Sequence, residues 1–244
     1  MRWKLGAVAG MLGALTLMGG KPAQAVVIDD FTCVEVPAFQ LVQSTFPGIG
    51  AINLDTGLGC VTGGARHLQL DNIVGDSAVA GARGAVDTTL PGTLLHSNDT
   101  GVDSRLTVTY DNAGALLGGV SLLAGGATDL QLTVLAIDLG GVTIRIQITD
   151  TGGDIANLTL PIAGAGLSSF AFNTFTNFAA TDFSQVNRIR LIIDGTSASD
   201  LEIDLLQTGE RPPGVPEPGT ILLLGTGLGV LPLVSWLRRR QKRQ

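Results

Sequence analysis

Between residues 26 and 211 the chain has no lysine and no tryptophan, and Tyr110 is its one tyrosine. Tyr110 ends an alternating apolar stretch on its apolar side, so the usual exposed aromatic platform for a sugar ring is missing. Cations are scarce in the same stretch: seven arginines stand against twenty acidic residues, a net charge of −13. A surface that acidic repels phosphate, which excludes nucleic acid as a partner. His67 and His96 are the only histidines, and neither has a partner at ligand spacing, which leaves no zinc site. No Gly-x-Ser-x-Gly turn is present. His96, Ser97 and Asp99 are sequence neighbours, but adjacent positions seldom make a triad, and with Asn98 they read as a polar turn. No enzyme is expected.

Cysteine is limited to Cys33 and Cys60. An even pair in an oxidising compartment reads as a disulfide, closing a loop of about 27 residues and contributing about 3 kcal/mol. Free buried thiols are the rival reading.

The two ends of the chain carry address signals. Arg2 and Lys4 precede the apolar run Leu5 to Met18, and Pro22-Ala23-Gln24-Ala25 supplies a small-x-small cleavage site. Residues 1–25 are therefore read as a signal peptide cut by way of Ala23 and Ala25, with Val26 as the mature N-terminus. At the other end, residues 220–237 carry no charge. As a helix they reach about 27 Å, near the lower limit for crossing a bilayer core. The basic run from Arg238 to Arg243 behind them holds the C-terminus in the cytoplasm. Export to the cell surface or beyond, from an inner-membrane-anchored precursor, follows.

The segment between these ends, 26–206, is read as one all-β domain, a single antiparallel β-sandwich. The clearest strand is Val142 to Asp150, where Val142, Ile144, Ile146 and Ile148 alternate with Thr143, Arg145, Gln147 and Thr149. Further strands are expected at His67–Asp71, Arg105–Tyr110, Leu130–Asp138, Leu158–Leu160, Phe170–Phe172, Ile189–Asp194 and Leu201–Leu205. Asp and Gly punctuate them at short intervals, as at Asp150-Thr151-Gly152-Gly153 and Asp194-Gly195. Thr176 to Phe183 reads as loop. The phenylalanines at 170, 172, 175, 178 and 183 read as core. Residues 207–215, rich in proline and glycine, form a spacer.

The C-terminus has a further character. Pro216-Glu217-Pro218, an apolar Gly- and Leu-rich span and an Arg-rich end follow one another in that order across residues 215–244. This stretch resembles the PEP-CTERM sorting signal. The resemblance implies processing at Pro216, Glu217 and Pro218 by an exosortase, a membrane-embedded cysteine protease or transpeptidase of bacteria that make extracellular polysaccharide.

The body has a fainter likeness. Ile28-Asp29-Asp30-Phe31, the turn Gly63-Gly64-x-Arg66 and the closing strands Val186–Leu191 and Leu201–Asp204 resemble exported PEP-CTERM proteins. Bodies of that kind look like jelly rolls of the galactose-binding or carbohydrate-binding-module type. Such folds set first and last strands side by side, which would gather Asp29, Asp30, Asp200, Glu202 and Asp204. Those five carboxylates are a candidate calcium set, since Ca²⁺ takes six to eight oxygens from scattered positions. The bland alternative is solvated acidic turns. Asn98 to Asp103 is a second acidic loop, without EF-hand spacing.

The first expectation for function is thus a non-enzymatic structural or matrix protein, sorted by exosortase. The alternative is a carbohydrate- or calcium-binding module on the same fold, with extracellular polysaccharide as partner and the membrane met through the C-terminal helix.

Overall fold

The computed structural model describes residues 25–34, 39–44, 50–75, 81–87, 92–138 and 141–210. Residues 1–24 of the expected signal peptide, the Pro-Glu-Pro motif and the expected span 220–237 lie outside them. Among the described residues no helix is long and apolar enough to cross a membrane.

The strands in chain order are β1 (Val27–Asp29), β2 (Phe39–Ser44), β3 (Ala51–Thr56), β4 (Ala65–Val74), β5 (Ala82–Asp87) and β6 (Thr93–Asn98). They continue with β7 (Asp103–Tyr110), β8 (Asp129–Asp138), β9 (Thr143–Asp150), β10 (Ile155–Pro161), β11 (Gly166–Ala171), β12 (Val186–Gly195) and β13 (Asp200–Gly209). They form two antiparallel sheets. One runs β11-β8-β13-β6-β5-β2, with β1 also paired to β13; the other runs β10-β9-β12-β7-β4-β3. The chain passes repeatedly between them, so each sheet is assembled from distant segments.

Alternation explains the layering. Ile144, Ile146 and Ile148 of β9, Leu106 and Val108 of β7, and Ile189, Leu191 and Ile193 of β12 all point inward and are buried. Leu130, Leu132 and Val134 of β8 and Leu201 and Ile203 of β13 meet them from the other sheet. Apolar faces on two sheets bury each other because neither can remain in water. The expected sandwich is what forms.

Three differences from the sequence reading are informative. Strands β2, β3, β5 and β6 lack the alternation that marks the others. The supposed polar turn at His96–Asn98 is the end of β6, with His96 and Asn98 buried. And β13 runs to Gly209, so Gln207, Thr208 and Gly209 belong to the sheet rather than to the spacer; Thr208 and Gly209 pair with Leu130 and Asp129.

One corner of the sandwich is clasped across the two sheets. Arg66 of β4 donates from Nη1 to both carboxylate oxygens of Asp29 in β1, at 3.0 and 2.9 Å. Its Nη2 donates to the Cys33 carbonyl at 2.8 Å, and its guanidinium lies 5.8 Å from the centre of the Phe31 ring. The Asp29 carboxylate also accepts the Phe31 N–H. Both charged side chains are wholly buried. Burial pushes the Asp29 carboxyl up from its ordinary range, against the pull of Arg66 and of the Phe31 N–H. Cys33 and Cys60 are joined in a disulfide at the same corner, with Cα atoms 6.1 Å apart.

Candidate functional site

β1 and β13 do lie side by side, yet the five carboxylates do not come together. Asp29 stands opposite Leu206, so Asp200 is six residues away along β13, roughly 20 Å at strand rise. Asp29 is occupied by Arg66, and Asp30 accepts the backbone and hydroxyl hydrogens of Thr32. Cys60 joins them in the one metal-like grouping among the described residues, but its sulfur is in the disulfide and offers no thiolate. Asp204 stands at the bulge between Ile203 and Leu205. In the loop after Asn98, the Asp99 carboxylate accepts the Gly81 N–H instead of facing a shared centre.

Asp200 and Glu202 have a different setting. With Asp138, Ser97 and Arg83 they line a groove of about 520 Å³ on the outer face of the β8-β13-β6-β5 sheet. Asp138 and Asp200 are directly opposed across β8 and β13. Among the described residues no Phe, Tyr or Trp lines this groove.

Behind it lies a buried polar chain. His96 Nε2 is 2.8 Å from Ser104 Oγ, and that hydroxyl donates to Asn98 Oδ1. With its single hydrogen committed to Asn98, Ser104 must accept from His96, so the ring is the neutral Nε2–H tautomer. A serine being activated as a nucleophile would donate to histidine, the opposite direction. Ser97 points to the other face of β6, so Ser97, His96 and Asp99 share no site. Gly195 of β12 lets the chain pass: a Cβ there would stand 2.7 Å from His96 Cε1 and 2.8 Å from Asn98 Nδ2.

Burial lowers the His96 pKa to about 4, and the more distant Asp194 and Asp200 charges only partly offset it. The unfolded chain therefore binds a proton between about pH 6.5 and 4 that the folded domain refuses. Stability falls as pH drops through that window, by about 3 kcal/mol for a shift of this size. Denaturant midpoints of wild type minus those of His96→Gln, followed from pH 7 to 4, should show this slope. The subtraction cancels Asp29, whose raised pKa acts in the opposite sense. It also cancels Asp150, held below the usual carboxylate range chiefly by the Asp182 N–H and then by those of Asp154, Gly152 and Gly153. A flat difference would contradict the assignment.

A second groove, about 590 Å³, opens at one end of the sandwich. Its wall is the strand ends: Asp129 of β8 pairs with Ala171 of β11 on one side and Gly209 of β13 on the other. Its rims are two single-turn 3-10 helices, Ala124–Gly126 and Phe172–Thr174. The frame is fixed by backbone bonds, Thr128 N–H to the Gly209 carbonyl at 2.9 Å and Phe172 N–H to the Thr128 carbonyl at 3.0 Å.

Phe178 stands at this groove. Phe170, Phe172, Phe175 and Phe183 are core, as expected, but Phe178 is 43% exposed. It is held by its neighbours rather than loose. Its ring centre is 5.6 Å from that of Phe183, and the Asn177 amide beside it donates to the Ile155 carbonyl at 3.1 Å. Thr176, one residue earlier, bridges Asn157 of β10. Around the same opening stand Leu123, Asn173, Asp129 and Glu210. The Asp129 carboxylate accepts from the Ser169 hydroxyl, while the side chains of Asn173 and Glu210 make no hydrogen bond among the described residues. An ordered aromatic face flanked by a free amide and a free carboxylate suits a polyol: the ring covers apolar C–H groups and the polar pair takes hydroxyls.

Of the residues singled out in sequence, Ala23, Pro216, Glu217 and Pro218 lie outside the described residues. Ala25 is the first described residue and is exposed.

No protein-family model matches the chain, and no curated protein matches it. Among solved structures it is similar to the family 11 carbohydrate-binding module of the cellulosomal cellulase Lic26A-Cel5E of Clostridium thermocellum, at 10% identity and a TM-score of 0.39. That match covers 78% of this chain and 96% of the module. An exo-beta-agarase gives 12% identity and a TM-score of 0.39 over 77% of this chain and 25% of the enzyme. A carbohydrate-binding module solved with beta-1,4-galactotriose gives 12% and 0.32 over 57% of this chain and 87% of the module. The likeness is one of two-sheet β-sandwich scaffold and carries no argument about ligand or activity.

Proposed function

We propose that the domain is a non-catalytic glycan-binding β-sandwich carried on an exported chain. The observation that carries this reading is Phe178, exposed and pinned at the mouth of the end groove beside the unengaged Asn173 and Glu210. The groove offers carbon faces and hydroxyl partners but no cation, so its ligand is a neutral sugar chain.

The test is retention of the full-length protein on gels containing neutral polysaccharides, with and without added calcium. Wild type is retarded by at least one of them without calcium. Phe178→Ala stays folded, its unfolding midpoint lowered by loss of the Phe183 ring contact, and loses at least tenfold in affinity, about 1.4 kcal/mol. A wild type retained by no neutral polysaccharide leaves the structural matrix role as the better account.

The address signals add the cellular half of the proposal. Pro216-Glu217-Pro218 ahead of an uncharged stretch and a basic end supports sorting by exosortase. Glu217→Ala should leave export intact and keep a C-terminal tag on the protein, whereas wild type loses the tag in cells that have exosortase. Equal tag loss in wild type, variant and an exosortase-deficient strain would refute the sorting role.

A further inference from the structure

The outer face of the β10-β9-β12-β7-β4-β3 sheet concentrates the scarce cations. Four of the seven arginines between residues 26 and 211 lie on it: Arg105 of β7, Arg145 of β9, and Arg188 and Arg190 of β12. Strand register sorts them into rows. One row runs Gln69, Thr107, Ile192, Arg145 and Thr159 across five strands. The next runs His67, Thr109, Arg190, Gln147 and Asn157.

Among the described residues the carboxylates of this face sit at its ends. Arg105 pairs with Asp194 at one end, and Arg188 Nε pairs with Asp111 at 3.2 Å at the other. Neither central row holds a carboxylate. Arg145 makes no hydrogen bond or ion pair among the described residues. Arg190 has one long contact, Nη1 to Gln147 Oε1 at 3.4 Å, while Gln147 Nε2 donates onward to Asn157 Oδ1. The Nε of both arginines is buried without an acceptor.

Two partly buried guanidinium groups left uncompensated, in a domain of net charge −13, are hard to explain as structure alone, since a desolvated charge is ordinarily paired. We infer that this face is a second binding site, for an acidic polysaccharide whose sugars carry carboxylates. Charge complementarity names the occupant. Guanidinium forks match carboxylates in paired hydrogen bonds. The Gln, Asn and Thr side chains between them offer both donors and acceptors to the hydroxyls of the same chain. Duplex nucleic acid carries about one charge per 1.7 Å of axis, denser than two cations in an overall negative field can hold. The site is separate from the end groove and rests on different residues, so either can fail alone.

The probe is polygalacturonate, with its fully methyl-esterified form as the neutral control, titrated into full-length protein at low and high salt. The expected result is binding of the acid form that drops at least tenfold on esterification and weakens with salt. Arg145→Gln with Arg190→Gln should lose the same factor while keeping the unfolding midpoint, and Phe178→Ala should keep acid binding. The charge-preserving pair Arg145→Lys and Arg190→Lys should retain part of the affinity, which separates lost charge from lost structure. Absence of binding by wild type, equal binding of acid and ester, equal binding of DNA, or undiminished binding by the Gln pair each overturns the inference.

Discussion

Arg66→Ala should cost the domain about 3–5 kcal/mol, a large part of the stability of a protein this size. The reason lies in what stays behind. Asp29 is wholly buried and takes two hydrogen bonds from Arg66 Nη1. Without the guanidinium its carboxylate is left charged in an apolar corner, or must bind a proton. Asp29→Ala should also destabilise, because the buried arginine loses both bonds to that carboxylate. The isosteric Asp29→Asn keeps an acceptor and should cost less than alanine does. Denaturant midpoints of the full-length protein give the values. A cost below about 1 kcal/mol for Arg66→Ala would mean that the corner relaxes to admit water.

Breaking the Cys33–Cys60 bond should cost about 3 kcal/mol, the entropy of reopening a 27-residue separation in the unfolded chain. It should also weaken the clasp, because Cys33 supplies the carbonyl that receives Arg66 Nη2. The two perturbations share a site and should not add: the Cys33→Ser, Arg66→Ala double variant should lose less than the sum of the singles. Full alkylation of both cysteines without reductant, or additivity within error, would contradict the shared-corner account.

The strands with a clean period of two were legible, and β7, β9 and β12 stand close to where alternation puts them. The unexpected strands break that rule for physical reasons. In β3 the pattern is inverted: Ile52 and Leu54 are exposed, while Asp55 is buried opposite Arg66. In β5 an inward glycine, Gly84, replaces the expected apolar residue, because a Cβ there would meet Leu106 Cδ1 at 2.4 Å. In β6 the inward positions His96 and Asn98 are polar and hydrogen-bond to Ser104 and the Thr196 carbonyl, so a buried strand looks like a turn. Each is a case of tertiary contacts overriding local pattern.

The candidate site was less legible than the fold. Phe178 is one of five closely spaced phenylalanines, and nothing in their spacing marks it as the exposed one. Only the pinned loop after β11 and the ring contact with Phe183 turn it outward. Asn173 and Glu210 are far apart in sequence and meet because β13 ends beside the start of β8. Sequence places the acidic residues on neighbouring strands but does not show their register. The register places Asp29 and Asp200 at opposite reaches of β13.

Amide chemical-shift mapping of the full-length protein in detergent, titrated with a neutral oligosaccharide drawn from a polysaccharide that retains it, tests the central claim most directly. The account predicts that the shifts concentrate at residues 123–129, 171–178 and 210, around Phe178, and that Phe178→Ala abolishes them. Shifts confined to the groove around Asp138, Asp200 and Glu202, or unchanged by Phe178→Ala, would contradict it.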